Sequence, residues 1–503
     1  MFAFRFEEEP FEGRQNPPKG RRTQFGWKPK MQSGKPMNNS AVLIAQRPEM
    51  PFPTQPGVSN TNPSRSAIPS VSLMTAICIV VANMVGVGVF TSLGFQVTGL
   101  PSGFVIVCLW TLGGVVALSG ALSYGELAAA LPRSGGEYHF LSRIFHPMLG
   151  FLAGWTSATV GFAAPMALAA MAFGTYMQQL APWVSPLTLS VALVWGTTAV
   201  HLAGLRRGVL FQDWSTILKV GLILALICAG FLARKIPEVS FLPMGKDWHL
   251  IMGGTFAVSL NYVMYAYSGW NASTYIVNEI RDPQRNVPRS VLLGTLVVIV
   301  LYVGVNAAFL RTTPITAIDA LKNPENVSLL AGQYVFGNAG GKIVAGLICL
   351  GLVSAVSSLV WIGSRVSVVM GEDLPGLRLL AGRSEDGTPR LAIVVQSAIA
   401  TILLLSGTFS DVLLYIQMAL TLFSALTVLG VIVLRIREPG LERPYRTWGY
   451  PVTPLVFLAV SGFMMYYTVR QYPWQSLAGL GTILAGLIVY FATGGKLKRE
   501  EHV

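Results

Sequence analysis

The chain has 503 residues, of which 52% are hydrophobic and only 12% are charged, and its mean hydropathy is +0.55. This composition excludes an ordinary soluble domain, in which about 25% of residues are charged, and indicates a protein with many membrane-spanning helices. The net charge of +13 is spread over short loops between apolar stretches, so it is explained by membrane topology and does not require a nucleic-acid surface.

Residues 1–68 are rich in Pro, Asn, Ser, Arg and Lys, and they lack both a hydrophobic period and an apolar run of signal-peptide length. We expect a disordered, basic cytoplasmic tail. A weak contact of its basic residues with anionic lipid is an alternative. Another is an over-extended reading frame, because the body of the chain begins near Ser70.

The body of the chain is predicted to form a transporter domain over 69–495, followed by a short cytoplasmic tail over 496–503. Its apolar stretches are long enough to cross a hydrocarbon layer about 30 Å thick. Twelve are predicted, at 71–99, 102–131, 148–180, 186–205, 214–233, 250–278, 290–310, 342–364, 391–408, 412–434, 452–469 and 475–493.

The distribution of Lys and Arg predicts the orientation of these stretches, because cationic loops resist translocation. If both termini are cytoplasmic, most loop arginines lie inside, among them Arg133, Arg281, Arg365 and Arg435. We therefore expect a multi-pass membrane protein with both termini in the cytoplasm.

The first and sixth apolar stretches are interrupted, at Gly86-Val87-Gly88 and at Ser268-Gly269. A helix that breaks inside lipid leaves backbone groups without partners, which is tolerated only where they face protein or a ligand. Two such breaks that face each other can bind a polar molecule near the bilayer midplane. The N-terminal end of a half-helix suits an anionic group of such a ligand, and unwound carbonyls suit a cationic group.

Four groups of residues follow one another in a fixed order: GVGVF at 86–90, SYGELAAALPRSGGEYHFLSRIF at 123–145, YAYSGWN at 265–271 with NEIRDPQRNVPR at 278–289, and ERPYRTWGYP at 442–451. Together they resemble the amino acid/polyamine/organocation (APC) superfamily, nearest to its L-type amino acid transporter branch. The resemblance implies an all-α polytopic membrane protein of twelve transmembrane helices. It further implies a five-plus-five inverted repeat, about 71–233 and 250–434, with discontinuous helices 1 and 6, plus two extra helices at about 452–493.

The resemblance also implies the positions of the substrate groups. The carboxylate would bind backbone N–H groups around Val87 and Gly88, and the ammonium would bind carbonyls near Met84, Val85 and Tyr265. Many relatives carry Ser where this chain has Val87, so only main-chain groups would act there. The substrate-binding residues expected on this basis are Met84, Val85, Gly86, Val87, Gly88, Tyr265, Ala266, Tyr267, Ser268 and Gly269.

Gating roles are expected for two aromatic and two acidic residues. In the resemblance Tyr265 is an aromatic gate over the substrate, and Trp270 lines or supports the pocket; ordinary packing is the alternative for Tyr267 and Trp270. Glu126 and Glu279 are expected to close an inner gate through ion pairs with loop arginines, namely Arg133, Arg281, Arg285 or Arg289. A solvated loop charge is the alternative for Glu279.

Lys219 lies within the fifth predicted stretch, where a charge is costly unless it has a partner or reaches the interface. Snorkelling to the membrane surface is one explanation. In the resemblance this lysine replaces the sodium ion of sodium-coupled relatives, and Ser357 and Ser358 supply hydroxyls to the same place. Transport would then be sodium-independent, with exchange and proton-linked uptake both open.

The predicted pocket segments contain no central Asp or Glu, which favours a neutral amino acid over a cationic one. A polyamine or organic-cation transporter of the same superfamily, and an amino acid sensor that does not transport, remain alternatives. The chain lacks the catalytic cluster of an enzyme and the repeated polar ring of a channel. We therefore expect no enzyme activity, no cofactor and no metal site.

Cysteine positions bear on partners. All four cysteines fall inside predicted spans: Cys78, Cys108, Cys228 and Cys349. In animals the L-type branch is linked to a single-span glycoprotein through a cysteine between helices 3 and 4, but here that loop is APWVSP at 181–186. No disulfide-linked heavy chain is expected, and a stand-alone carrier of a bacterial cytoplasmic membrane fits better.

Overall fold

The computed structural model describes residues 71–233, 239–245, 247–406, 409–471 and 473–493. The predicted tails at 1–68 and 496–503 lie outside the described residues. Within the described part the chain is helical, and its one isolated β-bridge joins Val71 to Ile280.

Within these described residues, eighteen α-helices are assigned. In chain order they are α1 (Leu73–Met84), α2 (Gly88–Val97), α3 (Gly103–Ala130), α4 (Glu137–Ile144), α5 (Pro147–Thr156), α6 (Ala163–Met177), α7 (Pro186–Leu202), α8 (Leu205–Leu232), α9 (Asp247–Ile251), α10 (Gly254–Tyr267), α11 (Pro283–Thr312), α12 (Ile315–Asp319), α13 (Val327–Phe336), α14 (Gly340–Asp373), α15 (Arg390–Ser406), α16 (Phe409–Arg437), α17 (Val452–Gln471) and α18 (Pro473–Ala492). Shorter segments are a π-helix at Ser157–Phe162 and 3₁₀ helices at Ala272–Glu279, Pro324–Asn326, Gly337–Ala339 and Pro375–Ala381.

Among the described residues, eight helical segments are long and apolar enough to cross a membrane: Leu73–Val97, Gly103–Ala130, Pro147–Met177, Arg207–Leu232, Pro283–Thr312, Pro324–Asp373, Met418–Arg437 and Val452–Gln471. Three further apolar helices are shorter: Pro186–Leu202, Arg390–Leu405 and Ser476–Ala492. These segments agree with a polytopic membrane protein. The total of twelve crossings stays a prediction.

Serine residues begin several long helices because a hydroxyl can accept a hydrogen bond from the first helical turn. The Ser72 hydroxyl accepts from the Thr75 N–H at 3.1 Å at the start of α1, and the Ser102 hydroxyl accepts from the Val105 N–H at 3.4 Å at the start of α3. Such caps satisfy donors that an apolar environment would otherwise leave unpaired.

Helical structure stops at both places where the sequence predicts a break. Helix α1 ends at Met84 and α2 begins at Gly88. Helix α10 ends at Tyr267, and the 3₁₀ segment Ala272–Glu279 follows after a turn over residues 268–271. Within that turn Gly269 has φ +98°, a left-handed conformation that a side chain would strain.

Helix α11 lies at the centre of the packing around these breaks, since it contacts α1, α3 and α8. Its residue Tyr302 is only 1% exposed. The ring packs edge-on against Trp110 of α3, with centroids 5.6 Å apart, and against Tyr267 of α10 at 4.9 Å. This aromatic cluster holds the end of α10 close to the end of α1.

Candidate functional site

The two helix breaks contact each other directly. The Asn83 side-chain amide donates to the Gly269 carbonyl at 3.3 Å, and a Cβ at Gly269 would come within 2.5 Å of the same amide nitrogen. A Cβ at Gly88 would lie 2.9 Å from the backbone of Ala266. Both glycines therefore allow an approach that larger residues would prevent.

The Tyr302 side chain contacts a backbone carbonyl group at each of the two breaks. The Tyr302 hydroxyl lies 2.6 Å from the Met84 carbonyl and 2.9 Å from the Ala266 carbonyl. A phenol carries a single proton, so the two acceptors share it. Nothing in the sequence pattern marked Tyr302, because it lies inside the regular helix α11.

The other carbonyls that were expected to bind the ammonium also have partners. The Val85 carbonyl accepts from the Lys219 ammonium at 2.7 Å. The Tyr265 carbonyl accepts from the N–H and the hydroxyl of Ser268, at 3.1 and 2.7 Å. A carbonyl has two lone pairs. The protein supplies one donor to the Val85 carbonyl, which leaves room for a ligand, and two donors to the Tyr265 carbonyl.

Backbone donors are less well satisfied than the acceptors. In the described structure the N–H groups of Val87 and Gly88 have no hydrogen-bond partner, and neither do those of Gly269, Trp270 and Asn271. Groups of this kind at the start of a helix favour an anion. The pair at 87–88 matches the predicted carboxylate contact, and the three at 269–271 add a second set of donors.

A cavity adjoins the breaks and encloses about 780 Å³ of empty space, including open solvent at its edge. Helix ends, the π-helix and α16 contribute to its wall. The lining residues are Asn83, Glu137, Ser157, Gly161, Phe162, Pro165, Met264, Ser268, Gly269, Trp270, Asn271, Tyr275, Leu359, Leu420, Thr421, Ser424, Phe457, Ser461 and Met464.

The cavity includes some of the predicted site residues and not others. Ser268, Gly269 and Trp270 line it, whereas residues 84–88 and 265–267 do not. At Gly86 a Cβ would meet nothing within 4 Å, so this glycine faces open space. Tyr267 is fully buried and donates to the Trp110 carbonyl at 3.1 Å, which makes it a packing residue.

The third predicted span contributes through an irregular turn. The helical path from α5 to α6 widens into a π-helix at Ser157–Phe162, and Ser157, Gly161 and Phe162 all border the cavity. Single π turns are frequent at functional sites because they expose or re-aim side chains. The sequence contains no motif from which this turn could be predicted.

Glu137 is the acidic residue that the sequence analysis did not place at the site. It lies at the start of α4, lines the cavity and is only 2% exposed. Its Oε1 accepts from the Tyr124 hydroxyl at 2.6 Å, the Ser424 hydroxyl at 3.0 Å and the Asn271 amide at 3.3 Å. The expectation of a neutral substrate rested on the absence of a central Asp or Glu from the predicted pocket segments, and Glu137 brings a carboxyl group to the cavity from outside those segments.

Backbone contacts of the preceding loop explain this position. The N–H groups of Gly135 and Gly136 donate to the carbonyls of Tyr275 and Thr274 at 3.3 and 3.2 Å. Both glycines have positive φ, and a Cβ at Gly136 would lie 2.7 Å from the Tyr275 ring. The paired glycines thus allow the loop to pack against the segment after the second break and direct Glu137 into the cavity. In the sequence, this pair of glycines is the feature from which the position of Glu137 could have been predicted.

Lys219 does not reach the membrane surface, since it is 1% exposed. Its ammonium donates to the Val85 carbonyl at 2.7 Å and to the Ala82 carbonyl at 3.2 Å, at the end of α1. The predicted hydroxyls bond elsewhere: Ser357 to a His201 ring nitrogen at 2.8 Å, and Ser358 to a carbonyl of α1 at 3.3 Å. The lysine therefore contacts the break, but not these two serines.

Glu126 forms a buried ion pair, but not with the arginines that were expected. The Arg435 guanidinium donates two hydrogen bonds to its carboxylate, at 2.8 and 2.6 Å, and the Thr447 N–H donates at 2.7 Å. Arg443 of the ERPYR motif lies 3.5 Å away. The contact joins α3 to the end of α16 and the loop that follows it.

Glu279 likewise has a different partner and is not a solvated loop charge. Its carboxylate accepts from Arg365 of α14 at 2.8 Å and from the Trp361 ring N–H at 3.2 Å. Both charged side chains are less than a tenth exposed. Arg133, one of the expected partners, instead pairs with Asp373 at 2.5 Å. Glu126 thus links α3 to α16, and Glu279 links the 3₁₀ segment after the second break to α14.

The described part of the chain contains no group of three or more His, Cys, Asp or Glu side chains suited to holding a metal ion. Cys78, Cys108, Cys228 and Cys349 carry free thiols.

Comparison with known proteins adds a consistent set of similarities. A model of the amino acid permease family matches residues 71–490. The mouse b(0,+)-type amino acid transporter 1 is 29% identical over 429 residues, which are 84% of this chain and 87% of the relative. The serine/threonine exchanger SteT of Bacillus subtilis is 26% identical over 438 residues, 86% of this chain and 97% of the relative. The mouse Asc-type amino acid transporter 1 is 26% identical over 439 residues, with coverage of 84% and 80%.

Proposed function

The chain belongs to the amino acid permease family, and we propose that it is a secondary-active carrier that works by alternating access. As a member of this family it is an integral multi-pass membrane protein that transports amino acids, and it is not an enzyme. The observation that carries this proposal is the contact between two helix breaks beside a cavity. Such breaks free backbone donors for an amino acid carboxylate without placing a charged side chain in lipid.

The architecture we propose is the one that the family resemblance implies. Twelve transmembrane helices would form a five-plus-five inverted repeat with two extra helices, both termini would be cytoplasmic, and the membrane would be a bacterial cytoplasmic membrane. The loop at 181–186 lacks a cysteine, so we propose a carrier without a disulfide-linked heavy chain. The broken helices α1–α2 and α10 with its 3₁₀ extension would then occupy corresponding places in the two repeats.

We further propose that transport does not require sodium. The Lys219 ammonium already supplies a positive charge to the carbonyls at the end of α1, and a sodium ion would need oxygen ligands of this kind. Exchange of one amino acid for another, or proton-linked uptake, would then drive the cycle.

A counterflow assay in proteoliposomes tests the proposal. Vesicles loaded with unlabelled amino acids should accumulate labelled amino acid in the absence of sodium, and a panel of neutral, cationic and acidic amino acids plus putrescine should give the substrate class. Repeating the assay with sodium and with a pH gradient identifies the coupling. Saturable binding without flux would instead indicate a sensor, and a strict sodium requirement would exclude the proposed role of Lys219.

A further inference from the structure

The charge of the cavity constrains what it can hold. Glu137 is a buried carboxyl group, and none of the described residues forms an ion pair with it. Its three hydrogen bonds all end on Oε1, whereas Oε2 accepts none from the described side chains. A buried carboxylate without a cation is costly, so its stable state needs either a proton or a positively charged partner.

The groups around Glu137 do not supply that charge. The elements packed against it contribute Tyr124 from α3, Asn271 and Tyr275 from the 3₁₀ region, and Ser424 from α16. Hydroxyl and amide groups stabilise a carboxylate by hydrogen bonding but leave its charge uncompensated. The positive charge must therefore come from the ligand or from bound protons.

A neutral amino acid does not balance the site while Glu137 is ionised, because the carboxylate and the ammonium of the ligand cancel and Glu137 remains as one excess negative charge. An amino acid with a cationic side chain brings a net charge of +1. Its α-carboxylate can use the backbone donors at the breaks, while its side-chain cation can donate to the free oxygen of Glu137. With both contacts made, the occupied cavity is electrically neutral.

We propose that Glu137 binds the side-chain cation of the substrate, so that the carrier prefers amino acids with an ammonium or guanidinium side chain. This inference rests on the proposed function and names the substrate class of the same site. It makes Glu137 a specificity-determining residue, and it replaces the expectation of a neutral substrate.

The pH dependence follows from the same geometry. Glu137 lies outside the candidate membrane spans, and burial raises the pKa of its carboxyl group to about 6, in spite of the opposing hydrogen bonds from Tyr124, Ser424 and Asn271. The carboxylate is ionised above this pH and protonated below it. Affinity for a cationic amino acid should be highest above pH 7 and should fall as the pH is lowered through 6, whereas affinity for a neutral amino acid should not fall.

The test compares binding of labelled arginine and labelled leucine to the purified full-length protein, wild type and Glu137→Gln. The amide is isosteric and keeps an oxygen that can accept from Tyr124 and Ser424. We expect arginine binding to weaken by about 10- to 100-fold, the range for loss of one charge-assisted hydrogen bond, and leucine binding to stay equal or improve. Glu385→Gln, which removes an exposed loop carboxylate, should change neither.

Other outcomes have defined meanings. Wild-type binding of leucine without arginine would overturn the inference while leaving the amino acid carrier intact, and leucine uptake that acidifies the vesicle lumen would point to Glu137 as a proton site instead. Equal loss of both ligands in Glu137→Gln would also overturn it, whether or not Glu137→Asp, which keeps the charge, retains them. Binding of putrescine but of no amino acid would refute the proposed function itself.

Discussion

Replacement of Lys219 by methionine separates the stability of the break from its function. Methionine has a similar length and removes the charge. Two charge-assisted hydrogen bonds, to the Val85 carbonyl at 2.7 Å and the Ala82 carbonyl at 3.2 Å, are lost, which costs roughly 3–6 kcal/mol at about 1.5–3 kcal/mol each. The substitution also removes the cost of burying an ammonium, which is several kcal/mol. The net change in folding free energy should therefore be within about 2 kcal/mol.

Transport should respond much more strongly than stability. Without the ammonium, the end of α1 loses the group that fixes its last carbonyls, and we expect the initial exchange rate in proteoliposomes to fall at least about tenfold, equivalent to about 1.4 kcal/mol. Thermal unfolding of the purified protein provides the stability measurement. Lys342→Met, at an exposed position of α14, is the matched control. A Lys219→Met protein that exchanges amino acids at the wild-type rate would refute this reasoning.

Three further predictions concern the glycines of the first break, the Tyr302 hydroxyl and the Glu126 ion pair. Gly88→Ala places a Cβ 2.9 Å from the backbone of α10, whereas Gly86→Ala places one in open space; substrate affinity should fall at least about tenfold in the first and less in the second, and equal effects would contradict the packing. Tyr302→Phe leaves two buried carbonyls with one donor fewer, so the unfolding free energy should drop by about 1–3 kcal/mol, and an unchanged thermal midpoint would argue against this link. Glu126→Gln breaks the pair with Arg435 and should destabilise the protein by about 3 kcal/mol; wild-type stability in a chemical denaturation series would show that the pair is dispensable.

The breaks could be predicted from the sequence because their signal is local. A pair of glycines, or a Ser-Gly step, inside an otherwise apolar stretch can be recognised in the sequence as a helix break. Helices α1 and α10 do end at these positions. Lys219 was also predictable, since a lysine within a span needs a partner. The structure gives the Val85 carbonyl at the first break as that partner, whereas the predicted hydroxyls of Ser357 and Ser358 bond elsewhere.

The partners of the acidic residues could not be predicted in the same way. Glu126 pairs with an arginine 309 positions away, and Glu279 pairs with one 86 positions away. The sequence shows which loops carry arginine, but several are compatible with one orientation, and only the packing of α14 and α16 selects among them. Tyr302 was missed for a related reason, because a tyrosine in a regular apolar helix has no local mark of a long-range hydrogen bond.

Glu137 was missed for a different reason. A carboxyl group in a loop between two spans is expected to be hydrated, and the sequence gives no direct indication that the loop turns inwards. The cause is the pair Gly135 and Gly136, whose positive φ values allow the backbone to bond to the segment after the second break. A double glycine directly before an acidic residue is therefore a pattern to examine when a pocket is predicted.

The most direct test of the central claim is a structure of the protein with a transported amino acid bound, identified first in the counterflow panel. The account predicts the α-carboxylate within hydrogen-bonding distance of backbone N–H groups at Val87 and Gly88 or at residues 269–271. A bound amino acid that contacts neither break, or a substrate-bound form in which either helix is continuous through residues 85–87 or 268–271, would contradict it.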